Sequence, residues 1–231
     1  MLVYISRCDI LQARSEVEDM KKRTETALDY LGYALYAFGA LGLELVLMTM
    51  GNAVYGQSSE SWSFTQHSLH WIMTFMMWGS IGVILMKKLP AHKKKPHNDN
   101  RNRMLVIGIL MAVSLGYTSL VWGGCKPILE LHALGPAKFF LQYVYYAFES
   151  LLMVLIIAHG QEAGERKGMQ GSLPMGGILL ALTWGMIHIL TQSGTTGIYT
   201  ILQALLYGEL YVLFAKDLTR SYLAIALIFM L

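Results

Sequence analysis

Four ionisable residues, Glu44, His70, Glu149 and His188, sit inside runs of sequence that otherwise carry almost no charge, and Gln203 accompanies them as a neutral polar side chain. In hydrocarbon such residues cost about 2.5 to 3.5 kcal/mol each on insertion scales, so each needs a partner or a purpose. Counted at about 1.5 Å per helical residue from the basic residues that mark the inner surface, all four come out roughly 20 to 30 Å from the inner face. They form a belt in the outer half of the membrane, and Gln203 falls close to it. His159 and Glu209 are further ionisable residues within apolar runs; His159 is expected near a helix end, where its ring can reach water.

Two kinds of chemistry suit this set. Glu149, His188, His70 and Glu44 could converge on a cavity and hold a divalent metal or relay protons, because borderline metals such as zinc accept carboxylate and imidazole together. In the blander alternative they fix helix register through interhelical hydrogen bonds of modest energy. No His-Glu-x-x-His spacing is present, so the soluble zinc-protease motif is absent. Trp184 and His188 are spaced i, i+4 and share one face of a helix. Glu149 and His188, at matched depth on consecutive spans, are expected to face each other. A lone carboxylate in hydrocarbon would be held neutral, whereas an imidazole within reach lets the two share one proton.

The elements that must position these residues follow from composition. In 231 residues, 55% are hydrophobic, 14% are charged, and mean hydropathy is +0.44. A soluble domain carries roughly 25% charged residues, so lipid is the solvent for most of this chain. A net charge of +3 with the basic excess in one loop argues against nucleic acid as a partner. Cys8 and Cys125 lie too far apart to suggest a disulfide framework or zinc knuckle.

Residues 1–29 are rich in charge and read as an amphipathic or flexible N-terminal segment on the cytoplasmic side. The early charges do not match a signal peptide. Residues 30–231 read as an all-α polytopic membrane domain. Six stretches are long enough to span, at about 30–52, 66–86, 104–123, 139–160, 174–192 and 198–215. The segment after Arg220 is a shorter apolar stub, a re-entrant piece or the first part of a further helix. Lys87, Lys88, Lys93, Lys94, Lys95, Arg101 and Arg103 place the 87–103 loop in the cytoplasm, and the 53–65 loop, with no Lys or Arg, outside.

Gln161-Glu162-Ala163-Gly164-Glu165-Arg166, followed by Leu182-Thr183-Trp184-Gly185-Met186-Ile187-His188, resembles the CPBP (CAAX protease and bacteriocin-processing, Abi) family of intramembrane metalloproteases. Its first motif is a Glu-Glu pair followed by three residues and Arg; its second is an aromatic residue with His four later. Tyr207 to Tyr222 is similar to the family's penultimate helix and the loop after it. The resemblance implies a peptidase in which Glu162 activates water, His188 holds a metal or stabilises the oxyanion, and Arg166 orients the acidic group, with zinc as the metal. Three departures point to a catalytically degenerate relative. The leading glutamate of the pair is Gln161, whose amide cannot accept the proton. The interval from the pair to His188 is short. A third motif, His with Asn four later, has no counterpart in 221–231. The resemblance therefore implies a protein that binds a peptide, a lipid-modified partner or another membrane protein among the membrane lipids. A small proton-coupled carrier relaying through Glu149 and His188, or a structural membrane subunit, are the rival readings.

Overall fold

The computed structural model describes residues 25–90 and 100–231. The expected segment 1–29 lies largely outside the described residues, as does the centre of the basic loop. Every element described is helical, because a backbone in lipid must satisfy its own hydrogen bonds. They are α1 (Ala27–Tyr55), a 3-10 turn (Ser59–Ser61), α2 (Phe64–Met86), α3 (Arg101–Trp122), α4 (Lys126–Arg166), α5 (Met175–Leu180), a π-helical stretch (Ala181–Gly185), α6 (Met186–Thr191), α7 (Gly194–Leu213) and α8 (Leu218–Met230). Among the described residues, α1 to α4 are long and apolar enough to cross a membrane. Met175–Thr191, taken through the π-helical stretch, and α8 are apolar but shorter.

Local chemistry sets the ends. Thr26 with Asp29 and Ser63 with Gln66 form reciprocal capping boxes at the starts of α1 and α2. Gly56 and Gly123, both at positive φ, close α1 and α3. Two elements differ from the sequence expectation. The 124–138 region, expected as a loop, is mostly the first arm of α4, and the chain turns sharply at Gly135 (φ 72°, ψ 165°) before Pro136. Only glycine adopts that conformation cheaply, and proline supplies no backbone N–H to continue the ladder. The fifth apolar stretch is likewise not one regular helix, but is interrupted by the π-helical residues before His188.

The second arm of α4 is the axis of the bundle. Leu152 to Gln161 are all buried, and α1, α2, α5 and α8 pack around them. A helix hydrophobic on every side belongs inside a bundle, and this one is. The outer helices present Val54, Leu120 and Leu190, each more than three-quarters exposed, as a lipid-facing surface would. Where α5 crosses α4 and α7, glycines let backbones touch. A Cβ on Gly176 would stand 2.0 Å from the Ile157 carbonyl oxygen, and one on Gly177 would stand 2.7 Å from Gly208 Cα. Small residues of this kind let membrane helices approach closely where no hydrophobic force separates protein from lipid.

Candidate functional site

A cavity of about 1000 Å³ opens among α1, α2, α4, α6, α7 and the ends of α3 and α8. Glu44, Glu149 and His188, three of the four belt residues, line it. His70, on α2, stands behind Glu44 with its Nε2 3.7 Å from Glu44 Oε1. The fold brings Glu44, Glu149 and His188 to one space.

The partners differ from the expected ones. Glu149 and His188 are joined to each other by neither a hydrogen bond nor an ion pair. Instead, both engage Trp184. The indole Nε1 donates to Glu149 Oε1 at 3.1 Å, and His188 Nδ1 donates to the Trp184 carbonyl at 2.6 Å. A carbonyl only accepts, so Nδ1 carries the proton and the neutral ring leaves Nε2 as an acceptor. The rings of Trp184 and His188 meet edge to face, 4.7 Å between centroids. The i, i+4 spacing predicted that neighbourhood; nothing in the spacing revealed that the indole N–H would turn to Glu149.

The expected metal set, Glu149, His188, His70 and Glu44, is divided between two locations, Glu44 with His70 and Glu149 with His188 through Trp184. Among the described residues no three of His, Cys, Asp or Glu are grouped as ligands for a metal ion. The donors at hand do not fit the zinc centre that the family resemblance implies. Gln203, which depth counting placed beside the belt, instead pins α7 to α3. Its Nε2 donates to Ser114 O at 3.2 Å and to Thr118 Oγ1 at 3.1 Å, while its Oε1 accepts from the Ser114 hydroxyl.

The Gln-Glu-x-x-x-Arg motif lies elsewhere. None of Gln161, Glu162 and Arg166 lines the cavity. Arg166 Nε donates to Glu162 at 2.7 Å, its Nη1 donates to the Glu25 carbonyl, and its guanidinium lies 4.6 Å from the Tyr30 ring centroid. Gln161 is buried; its amide nitrogen donates to Glu165 at 2.8 Å and to Leu173 O at 3.0 Å, and its oxygen accepts from Gly176 N at 3.3 Å. This amide fastens the loop after α4 to the start of α5, a task that uses both its donor and its acceptor. His159, expected near an aqueous edge, is instead fully buried, with Nε2 3.2 Å from the Leu85 carbonyl and its ring beside Tyr30 and Tyr33.

Sequence reasoning missed Lys126, which it assigned to a loop outside the membrane. Lys126 is 4% exposed at the cavity wall, where its Nζ donates to Phe229 O at 2.7 Å. The ammonium lies 4.4 Å from the Tyr146 centroid, 4.7 Å from Phe229 and 5.3 Å from Trp122, within cation–π range of all three. It also stands where the start of α4 meets the end of α8, and a cation there stabilises the carbonyl end of α8. One turn on, Glu130 accepts from the Tyr146 hydroxyl at 2.7 Å and from Gln142 at 3.1 Å. The Lys126 and Glu130 spacing was a readable i, i+4 signal for this arm.

Among the described residues, an all-helical bundle with four helices able to cross a membrane, around a cavity lined in part by charged side chains, is the build of a polytopic membrane protein. Compared with known proteins, the chain has no significant match to a family model, a curated protein or a solved structure.

Proposed function

We propose that this chain is a six-span, CPBP-like integral membrane protein that binds a peptide or lipid-modified partner in the cavity without hydrolysing it. The observation that carries this reading is the separation of the two motifs. His188 lines a large space, whereas Glu162 and Arg166 are engaged with each other and with α1 outside it. A general base must come within hydrogen-bond reach of the water it activates, with the stabilising group close by. A space of this size, with apolar walls and a few convergent polar groups, suits a ligand with an apolar body. The proton-carrier reading has less support, because the Trp184 indole, a hydrogen-bond donor that is neither protonated nor deprotonated at physiological pH, joins Glu149 to the His188 neighbourhood.

Four of the five tryptophans, Trp71, Trp78, Trp122 and Trp184, line the cavity, so occupancy is readable by intrinsic fluorescence. Purified protein in dodecyl maltoside, titrated with a farnesylated tetrapeptide, should show a saturable fluorescence change, and mass spectrometry should recover the peptide intact. Gly42→Leu fills the cavity from α1, where a Cβ meets nothing within 4 Å, and should abolish the change without lowering stability. Cleavage of the peptide, or fluorescence that never saturates, would refute the reading.

In the same reading the N-terminus and the 87–103 loop are cytoplasmic. Cysteine variants of Ser59 and Asn98 test this in intact cells. An impermeant maleimide should label position 59 and spare position 98; the reverse pattern would invert the topology.

A further inference from the structure

We infer that the cavity recognises an organic cation, an alkylated amine or quaternary ammonium group, seated between Glu149 and Glu44 against tryptophan and tyrosine faces. This rests on the ligand-binding reading above and adds the charge of the ligand's buried end.

Charge comes first. Glu44 and Glu149 both line the cavity, from α1 and α4. The one lysine on the wall, Lys126, is already held by the Phe229 carbonyl and three rings, with Glu130 one turn away on the same arm. Two carboxyl groups, Glu44 and Glu149, thus face the cavity against one ammonium, Lys126, that is already committed. Glu149 Oε1 takes the Trp184 N–H, while Oε2 makes no hydrogen bond and is not shut away from the cavity. Glu44 has the long contact to His70 and the Tyr145 hydroxyl beside it, and keeps 28% of its side chain accessible. Each carboxylate therefore has acceptor capacity left over at the cavity.

The walls supply the second half of the argument. The Trp78 indole N–H donates to Ala40 O at 2.7 Å and the Trp184 N–H goes to Glu149; both indoles are buried, so the ring surface open to a ligand comes from the half-buried Trp71 and Tyr145 in front of them. Tyr145 lies 4.7 Å from Trp78, and Trp71 adds a further ring from α2. An aromatic wall with carboxylates behind it is the arrangement that recognises quaternary ammonium groups, because a ring's negative face attracts a cation too bulky to be hydrogen-bonded. The cavity wall already holds a cation in this manner, the chain's own Lys126. On the α1 side, Gly39 and Gly42 leave open space where side chains would otherwise intrude.

The probe is benzyltrimethylammonium, compared with its uncharged carbon isostere neopentylbenzene, in dodecyl maltoside so that no lipid headgroup competes. Tryptophan fluorescence should report the cation binding at least tenfold more tightly than the isostere. Glu149→Gln, whose amide oxygen can still accept the Trp184 N–H, should remove that discrimination while leaving the melting temperature near wild type. Glu44→Gln should weaken the cation by a smaller factor and serves as the second variant should Glu149→Gln fold poorly. Equal affinity for the two probes, or discrimination that survives both variants, would overturn the cation site. If the farnesylated peptide still saturates in that case, the cavity reading stands alone. If neither probe nor the peptide binds, both fall.

Discussion

Gly176→Ala should destabilise the protein by about 1 to 3 kcal/mol or more, the cost of overpacking a close-packed site. The methyl group would stand 2.0 Å from the Ile157 carbonyl oxygen and 2.8 Å from its Cα, and these are backbone atoms that no rotamer change can move. Relief requires α5 to withdraw from α4, which would strain the Gln161 bonds to Leu173 and Gly176 that anchor the same crossing. Gly42→Ala is the control. Its Cβ meets nothing within 4 Å, and replacing glycine inside a helix gains up to about 1 kcal/mol in propensity. Thermal melting followed by fluorescence in dodecyl maltoside should show Gly176→Ala several degrees below wild type and Gly42→Ala at or above it. Equal melting temperatures for the two would mean that the α4 and α5 backbones are not in contact.

Truncating Trp184 should have the largest effect of any single change near the cavity, about 3 to 5 kcal/mol for Trp184→Ala, typical of removing a buried aromatic side chain. The residue is 3% exposed, packs against His188 and Phe229, and supplies the one hydrogen bond Glu149 receives. Trp184→Phe separates the parts by keeping a ring and deleting the N–H. It should cost about 1 to 3 kcal/mol if Glu149 is left without a donor. Adding Glu149→Leu to Trp184→Phe should recover part of that loss, since an apolar pair leaves no unsatisfied group. A Trp184→Phe protein that melts like wild type would show that the indole N–H does not support Glu149. The pairing described for that carboxylate would then be wrong.

Much of this architecture was legible in the sequence because lipid narrows the options. Hydropathy and length marked α1, α2 and α3 nearly to their ends, and the excess of apolar residues left no alternative to helices. Glu44, Glu149 and His188 stood out as ionisable residues in apolar runs, and all three line one cavity. The Trp184 and His188 neighbourhood followed from helical periodicity alone. The Gly135-Pro136 pair was equally local information, but it does not announce that the arm before it folds inward and carries Lys126 to the cavity wall.

Only the tertiary structure decided which partner each polar group took. Depth and periodicity fix where a side chain stands along a helix but not how the helix is rotated against its neighbours, and that rotation selects the hydrogen bond. The π-helical stretch Ala181–Gly185 makes the point. It takes more residues per turn than an α-helix, and one extra residue re-aims everything after it by about 100°. Relative to α5, His188 therefore stands on a face that no count along a regular helix predicts, although its relation to Trp184 is kept. Gln203 turned to α3 for the same kind of reason, because Ser114 and Thr118 faced it across the α3 and α7 interface. Gln161, read as a vacant place in a catalytic pair, proved to be fully bonded across the start of α5, and only a fold that brings residues 171–176 back to it could reveal that.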